Sequence, residues 1–394
     1  MSKLLGFLSP LGFGGGSRQR DDDFVDRMSH NYTVMILVGF AIVVSTKQYV
    51  GDPIQCWVPA YFNGNYEDYA NKVCWVSNTY YNPFSDDIPM GNQPKEELLY
   101  YQWVPFILLS QAIFFYLPNT IWNLMNGRSG IAIAALSEAA QNMHEGETQE
   151  KTLRYIVRQI DRFCGTLRRK NTRGAGCRQS TTQCCLHFCG MNHGTYLLAV
   201  YMLVKFVYLV NAIGQFFLLD TFMGSEYHLY GVQVIQGLVT SRDWVGSKRF
   251  PRVTLCDFKV RQLGNLHRYT VQCVLPINLF NEKIFIFIWF WFIFVSFASL
   301  CSFILWLGRV FLRADHVKFI KRYLKIMDKI DQSDKKRLRR FVAEYLRPDG
   351  VLVLRLMALN TNEIVVAEVI AELWEYYKSN TPIWNRKTDD GEDV

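Results

Sequence analysis

The chain has 394 residues and a formal net charge of +8 at neutral pH, and half of its residues are hydrophobic. Its mean hydropathy is nevertheless only +0.01, which excludes a chain lying wholly within a bilayer. The sequence contains neither a G-x-x-x-x-G-K-[ST] loop nor a Rossmann-type glycine pattern that follows a predicted strand. With no recognisable catalytic constellation either, we predict neither an enzyme nor a bound cofactor.

Four apolar stretches divide the chain, and the second and fourth run for 23 and 24 residues without a charge. At 1.5 Å per residue, either one can cross a hydrocarbon core of about 30 Å. We therefore predict a mostly α-helical fold: a bundle of four transmembrane helices, two disulfide-braced extracellular loops with short strands, and a helical cytoplasmic dome. The predicted spans are residues 31–50, 100–122, 196–219 and 284–307. The remaining segments are the N-terminal segment 1–30, the extracellular loops 51–99 and 220–283, the cytoplasmic loop 123–195 and the C-terminal region 308–394.

Basic residues are unevenly distributed over these segments. Lys and Arg number 4 in residues 1–31, 10 in 127–195 and 17 in 309–394, which is 31 of the 43 in the chain. Cytoplasmic segments of membrane proteins carry such an excess of Lys and Arg. We therefore predict a multi-pass plasma-membrane protein with both termini in the cytoplasm.

The predicted spans contain three features that call for interpretation. Pro105 and Pro118 in the second span are expected to kink the helix, because proline removes a backbone donor. Lys205 in the third span is interpreted as pairing within the bundle or snorkelling to the interface, with a water-facing role as the alternative. The aromatic-rich fourth span is apolar all round and is expected to face lipid.

Three helices are predicted beyond the fourth span, where apolar residues recur at helical spacing. They cover His316–Asp331, Leu338–Leu346 and Glu363–Tyr377. Together with the cytoplasmic loop they would form the helical dome.

Each predicted extracellular loop contains two cysteines. Cys56 and Cys74 lie 18 residues apart in the first loop, and Cys256 and Cys273 lie 17 residues apart in the second. Paired cysteines outside the membrane indicate disulfides on the oxidising side. The spacing leaves both local and loop-to-loop pairing open.

Several motifs resemble those of the innexin family. The most specific are Tyr100–Phe106, which reads YYQWVPF, and the Lys47–Trp57 segment that joins the first span to the first loop. Phe250–Phe258, the run from Cys273 into the fourth span, and Tyr345–Gly350 with Asn360 downstream also fit. The resemblance covers about residues 21 to 376.

Resemblance to innexins implies a channel. Protomers of that family form a ring, on the best precedent of eight subunits, alone or with other innexins. Rings in adjacent cells dock to form gap junctions that pass ions and small metabolites. A non-junctional hemichannel and a non-conducting four-span adhesion or scaffold protein are the alternatives. The resemblance also implies the disulfides Cys56–Cys273 and Cys74–Cys256, rather than pairing within each loop.

The same resemblance suggests which charges line the pore. Lys47 and Asp52 flank the junction of the first span and first loop, a pore-facing position in related large-pore channels, although Lys47 could instead snorkel to lipid headgroups. The N-terminal segment would fold into the cytoplasmic pore entrance, where Asp21, Asp22 and Asp23 would form a negative ring. A disordered or membrane-resting N-terminus is the alternative.

The remaining cytoplasmic features support weaker predictions. A cysteine cluster precedes the third span and is interpreted as reduced thiols, with palmitoylation or zinc as alternatives; it comprises Cys177, Cys184, Cys185 and Cys189. The basic run Arg168–Arg173 indicates a solvated or anionic-lipid-facing loop, not nucleic-acid binding. The C-terminal Gly391–Val394 could be captured by a PDZ-type domain.

Overall fold

The fold is described from a computed structural model. It describes residues 21–89, 95, 97–143, 147–173, 194–224, 227–239 and 249–380. The glycine-rich start, the cysteine cluster before the third span and the C-terminal tetrapeptide lie outside these residues.

The chain forms two compact units. The helical unit comprises Met1–Met28, Leu117–Leu209 and Ser299–Val394, and the disulfide unit comprises Ser29–Tyr116 and Val210–Ala298. Each unit combines segments that are distant in sequence.

Helices make up most of both units. They are α1 (Phe24–Tyr49), α2 (Gly64–Val76), α3 (Val104–Asn126), α4 (Ile133–Gln141), α5 (Glu147–Arg173), α6 (Tyr196–Met223), α7 (Tyr230–Val239), α8 (Pro276–Phe311), α9 (Arg313–Ile326), α10 (Lys335–Arg340), α11 (Arg347–Asn360) and α12 (Glu363–Asn380). Helix α1 contains a π-helical turn at Met28–Tyr32, and a second such turn, Phe341–Leu346, joins α10 to α11. The strands are β1 (Gln55–Trp57), β2 (Thr79–Tyr80), β3 (Glu97–Leu98), β4 (Val253–Gln262) and β5 (Asn265–Val274).

Four of these helices, α1, α3, α6 and α8, are long and apolar enough to cross a membrane. All four extend beyond the apolar stretches: α1 begins seven residues before the predicted span, and α8 continues for several residues at each end. Hydropathy marks the residues that suit hydrocarbon, whereas backbone hydrogen bonding continues a helix past that boundary.

The two prolines of α3 occupy different environments. Pro105 is the second residue of the helix, where the backbone N–H has no intrahelical partner. The prediction that Pro105 kinks the helix is therefore wrong. Pro118 lies inside α3, where its ring removes one hydrogen bond from the ladder.

The aromatic residues of α8 lie on more than one side of the helix. The Phe292 ring is fully buried and contacts Phe115 of α3 and Phe216 of α6, at centroid distances of 5.2 and 6.0 Å. Phe287 contacts Phe40 of α1 at 5.5 Å. Helix α8 therefore packs against the other three apolar helices within the disulfide unit, so the expectation that the fourth span faces lipid does not hold for this side of the helix.

A five-stranded sheet forms the centre of the disulfide unit, in the order β1-β5-β4-β2-β3, and every pairing is antiparallel. Strands β4 and β5 form a hairpin with a two-residue turn at Leu263 and Gly264. Both turn residues have positive φ, 50° and 86°, as a type I′ turn requires. The Leu263 side chain is 99% exposed at the tip.

Two disulfides connect the two cysteine-bearing loops. Cys56 of β1 bonds Cys273 of β5, and Cys74 of α2 bonds Cys256 of β4. This is the loop-to-loop pairing implied by the innexin resemblance, not the local alternative. The sulfur atoms of Cys56, Cys74 and Cys273 lie within 4.8 Å of one another, so the two bridges lie next to each other.

The helical unit has one hydrophobic core, to which α3–α6, α8–α12 and the second π-helical turn contribute. Helix α11 supplies a fully buried run, Val351–Leu354, and was not predicted as a separate helix. A helix that is buried on several sides has a continuous apolar run in its sequence. Such a run lacks the alternation of apolar and polar residues that identifies a surface helix.

We expect the disulfide pairing to be decisive for the stability of the disulfide unit. Replacing Cys74 or Cys256 by serine removes the same bridge, so each single variant and the double variant should lose about the same stability, about 2–5 kcal/mol. Thermal unfolding of purified protein measures this loss. Cys301→Ser, at a cysteine that forms no disulfide, is the matched control.

Peptide mapping without reductant tests the pairing directly. Fragments joining Cys56 to Cys273 and Cys74 to Cys256 are expected. A fragment joining Cys56 to Cys74 would contradict the assignment.

Candidate functional site: the two ends of the first apolar helix

At the N-terminal end of α1, a buried lysine holds two carboxylates. Lys205 of α6 is 3% exposed, and its Nζ lies 3.1 Å from Asp23 Oδ2 and 2.9 Å from Asp26 Oδ2. It also donates to Ser302 Oγ of α8 at 2.9 Å. A buried ammonium is tolerated only when paired and hydrogen-bonded, so these contacts hold the start of α1 against α6 and α8. We call Asp21, Asp22, Asp23, Asp26 and Lys205 the acidic junction.

Asp23 is the most highly connected carboxylate of the acidic junction. Besides Lys205, its Oδ2 accepts hydrogen bonds from Ser302 Oγ at 3.2 Å and Trp306 Nε1 at 3.1 Å. Burial acts to raise the pKa of Asp23, but the lysine charge and these hydrogen bonds outweigh it and lower the pKa below its usual value. Asp23 is therefore ionised at neutral pH.

Among the described residues, Asp21 is held by hydrogen bonds and not by a cation. Its Oδ2 accepts from Trp122 Nε1 at 3.0 Å and from Asn126 Nδ2 at 3.2 Å, both on α3. Burial, aided by the neighbouring charge of Asp22, raises the pKa of Asp21 to about 6. The carboxyl therefore loses its proton just below neutral pH.

Asp22 connects the start of α1 to the C-terminal region. Its carboxylate lies 3.4 Å from Arg27 Nε, and its backbone oxygen accepts from Asn360 Nδ2 at 2.9 Å. Arg27 in turn donates to Asn360 Oδ1 at 3.2 Å. Asn360, the last residue of α11, thus bonds both to the residues preceding α1 and to its first turn.

These placements bear on two expectations. Lys205 pairs within the protein, which agrees with the interpretation of pairing within the bundle and not with a water-facing role. Asp21–Asp23 were expected to form a negative ring at the cytoplasmic pore entrance. In the structure, Asp21 and Asp22 are buried, and Asp23 is bonded to Lys205 and α8. Within the protomer the three aspartates hold the residues before α1 in place, and this placement does not favour a negative ring of exposed carboxylates.

At the opposite end of α1, within the disulfide unit, one side of the helix is bonded and the other is uncovered. Gln48 is buried and donates to the backbone oxygen of Tyr101 at 2.6 Å. Lys47 is half-buried, with its Nζ 5.9 Å from the ring centroid of Phe280. Asp52 is exposed, and so are Tyr49 and neighbouring residues on the uncovered side.

The YYQW motif has a structural role beside this end of α1. The Tyr100 and Tyr101 side chains are buried, and the Tyr101 ring lies 4.9 Å from that of Trp75 on α2. Gln102 donates to the Trp75 backbone oxygen at 2.6 Å. The motif therefore packs the start of α3 against the helix that carries Cys74.

Sequence reasoning missed several residues of the site. Trp122 and Trp306 gave no signal, because an indole inside an apolar stretch looks like ordinary span composition, and Gln48 was noticed only as part of a family pattern. Asn360 was noticed only as part of a family pattern. The sequence did offer one hint of the acidic junction. Four acidic residues lie immediately before the first membrane-spanning helix or in its first turn, and one lysine lies inside the third span. Buried charges must find partners, so these groups were candidates for pairing.

The fold and site together define a class of protein. Four apolar helices are combined with a small antiparallel sheet tied by two disulfides, and the first helix is bonded at both ends. This is the architecture of a multi-pass membrane protein of the four-span channel class.

Comparison with known proteins identifies the family. The family model for innexins matches residues 22–377. Innexin unc-9 of Caenorhabditis elegans is 42% identical over 364 residues, covering 91% of this chain and 93% of that protein. Innexin-3 and innexin eat-5 of the same organism are 38% and 34% identical, each over 91% of this chain and over 84% and 87% of their own lengths. The chain belongs to the innexin family and is a gap-junction channel protein.

We expect Lys205 to be essential for the stability of the helical unit. Lys205→Met leaves Asp23 and Asp26 buried without their cation, which costs about 3–5 kcal/mol. Lys378→Met is the matched control, because it removes a lysine from a partly exposed ion pair with Glu375 in the same unit, where the loss should not exceed about 1 kcal/mol. Thermal unfolding in detergent compares the two.

A second substitution separates charge from packing. Adding Asp26→Asn to Lys205→Met removes one unpaired carboxylate and should recover part of the lost stability. Equal stability of Lys205→Met and Lys378→Met would contradict the central role of the acidic junction.

Proposed function

We propose that the protein forms a ring of subunits, eight on family precedent, in which the N-terminal segment, the loop 123–195 and the C-terminal region are cytoplasmic and the two cysteine-bearing loops are extracellular. The charge distribution supports this orientation, because 31 of the 43 Lys and Arg residues lie in the three segments assigned to the cytoplasm. The two disulfides support it as well, since such bonds persist in oxidising compartments.

We propose that docking between cells uses the β4–β5 hairpin of the disulfide unit. The single observation that carries this proposal is the hairpin tip, where an apolar Leu263 is 99% exposed on a strand pair tied by both disulfides. A rigid base reduces the entropy lost when two rings meet. Neither predicted extracellular loop contains an N-x-S/T sequon, so no N-linked glycan is expected to obstruct contact.

The uncovered side of α1 is proposed to face the pore at its extracellular end. The face buried within the protomer includes Val34, Leu37, Ala41, Val44 and Gln48, at helical spacing. Ile42 and Val43, on the opposite face, are exposed in the part of the protomer that the structure describes. A ring repeats Lys47 and Asp52 once per subunit, so these charges produce a strong local field.

Dye transfer between paired cells, measured beside dye uptake by single cells, tests the docking proposal. Leu263→Asp places a charge on each hairpin tip and should abolish transfer between cells while surface expression and single-cell uptake persist. Val76→Asp, at another exposed apolar residue of the same unit, is the control and should leave transfer unchanged. Transfer that survives Leu263→Asp would contradict docking through this tip.

Lys47 provides a graded test of the pore assignment. Lys47→Gln and Lys47→Glu change the charge of each subunit by −1 and −2, so the relative permeability to cations should increase in that order. Reversal potentials in a salt gradient measure the shift. Lys72→Glu makes the same charge change on α2, where Lys72 forms an exposed pair with Asp68, and should shift the potential less. Unchanged reversal potentials at Lys47 would favour snorkelling instead.

A further inference from the structure

A groove on the helical unit is lined mainly by basic side chains, and channel architecture does not explain it. Its volume is about 750 Å³, within the range of small-ligand sites. We call it the basic groove. Its charged lining residues are Arg309, Lys318, Lys321, Arg322, Lys325, Arg355 and Asp315.

Helix α9 places four of these cations on one face. They are Lys318, Lys321, Arg322 and Lys325, at positions i, i+3, i+4 and i+7. Like charges at this spacing destabilise a helix. The core does not require them, because α9 packs through Ile320 and Leu324, which are fully buried. The helix therefore maintains a concentrated positive face that its own packing does not demand.

Few of these charges are neutralised by the protein. Arg355 pairs with Asp315 at 2.7 Å, and Arg322 pairs with Glu363 at 3.6 Å between two exposed side chains. In the part of the chain that the structure describes, the lysines of the groove and Arg309 form no ion pair. The groove is thus left with a net positive charge.

Arg355 makes the groove a built site rather than a cluster of surface lysines. It is 9% exposed, and its guanidinium lies 4.7 Å from the Phe319 ring centroid. Its Nη2 donates to Asp315 Oδ2, whereas the buried Nε has no hydrogen-bond partner among the described residues. A guanidinium that is fixed in this way adds a stationary positive charge to the groove lining, which suits an anionic ligand.

The position of the groove indicates where its ligand comes from. Arg309 lies in the last turn of α8, the fourth membrane-spanning helix. Phe311 and Leu312, which follow it directly, are 76% and 62% exposed. Exposed apolar residues next to concentrated cations match the boundary between acyl chains and headgroups.

We infer that the basic groove binds the multiply phosphorylated headgroup of an anionic lipid. Several phosphates are needed to match several fixed cations, and the adjacent apolar residues favour a ligand that is anchored by acyl chains. The assignment to the cytoplasmic leaflet rests on the orientation proposed above. The headgroup would occupy the groove while the acyl chains remain beside the end of α8.

The test measures lipid binding to the purified full-length protein in detergent. The probe is phosphatidylinositol 4,5-bisphosphate, compared with phosphatidylserine and with soluble inositol 1,4,5-trisphosphate, and native mass spectrometry counts bound molecules. K318Q/K321Q/K325Q should weaken binding of the bisphosphate lipid roughly 10- to 100-fold. K335Q/K336Q/R339Q removes three exposed charges of α10 outside the groove and should bind as the parent does.

Each outcome decides the inference. Binding that is unchanged in the groove variant, equal for phosphatidylserine, or as tight for the soluble trisphosphate as for the lipid would overturn it. If the triple variant melts below the parent, the single variant K321Q replaces it. The lipid-binding measurement needs neither docking nor conduction. A negative result would therefore contradict lipid binding without contradicting the proposal that rings dock between cells. Conversely, loss of dye transfer would not contradict lipid binding.

Discussion

The buried ammonium of Lys205 is the constraint around which the helical unit is organised. An ammonium inside a packed protein requires compensating charge and hydrogen bonds, and Asp23, Asp26 and Ser302 supply them. Two of these partners lie at the start of the first apolar helix and one lies on the fourth. The requirement of one side chain therefore determines where the N-terminal segment is held, and Trp306 and Asn360 add hydrogen bonds that fix it further.

The disulfide unit solves a different problem, that of keeping a small sheet rigid. A five-stranded sheet with two strands of only two residues has little area with which to stabilise itself. Two adjacent bridges join segments separated by 217 and 182 residues, and they restrict the unfolded chain accordingly. The YYQW aromatics pack beside them. Rigidity here is what a surface needs if it must contact another ring without first becoming ordered.

The two ends of α1 differ in how firmly the protein holds them. Its N-terminal end is fully engaged by ion pairs and hydrogen bonds. At its other end Gln48 bonds one face to Tyr101, while Ile42 and Tyr49 remain exposed in the part of the protomer that the structure describes. A helix anchored along one face can present the other to a pore or a neighbouring subunit without losing its position.

Local pattern in the sequence determined a large part of this structure. Long apolar stretches predicted all four membrane helices, because the hydrocarbon core imposes a minimum length on any span, and the motifs around Tyr100 and Cys56 indicated the family. Helix ends, the role of Pro105, the buried helix α11 and the packing of the fourth span against the other three were not predictable in this way. They depend on which surfaces meet. The anchoring of Asp21–Asp23 is the clearest case: three consecutive carboxylates look solvent-exposed in a sequence. Only the tertiary structure brings Trp122, Lys205, Ser302 and Asn360 to them from up to 338 residues away, because a buried charge is stabilised by whatever partners lie near it in space.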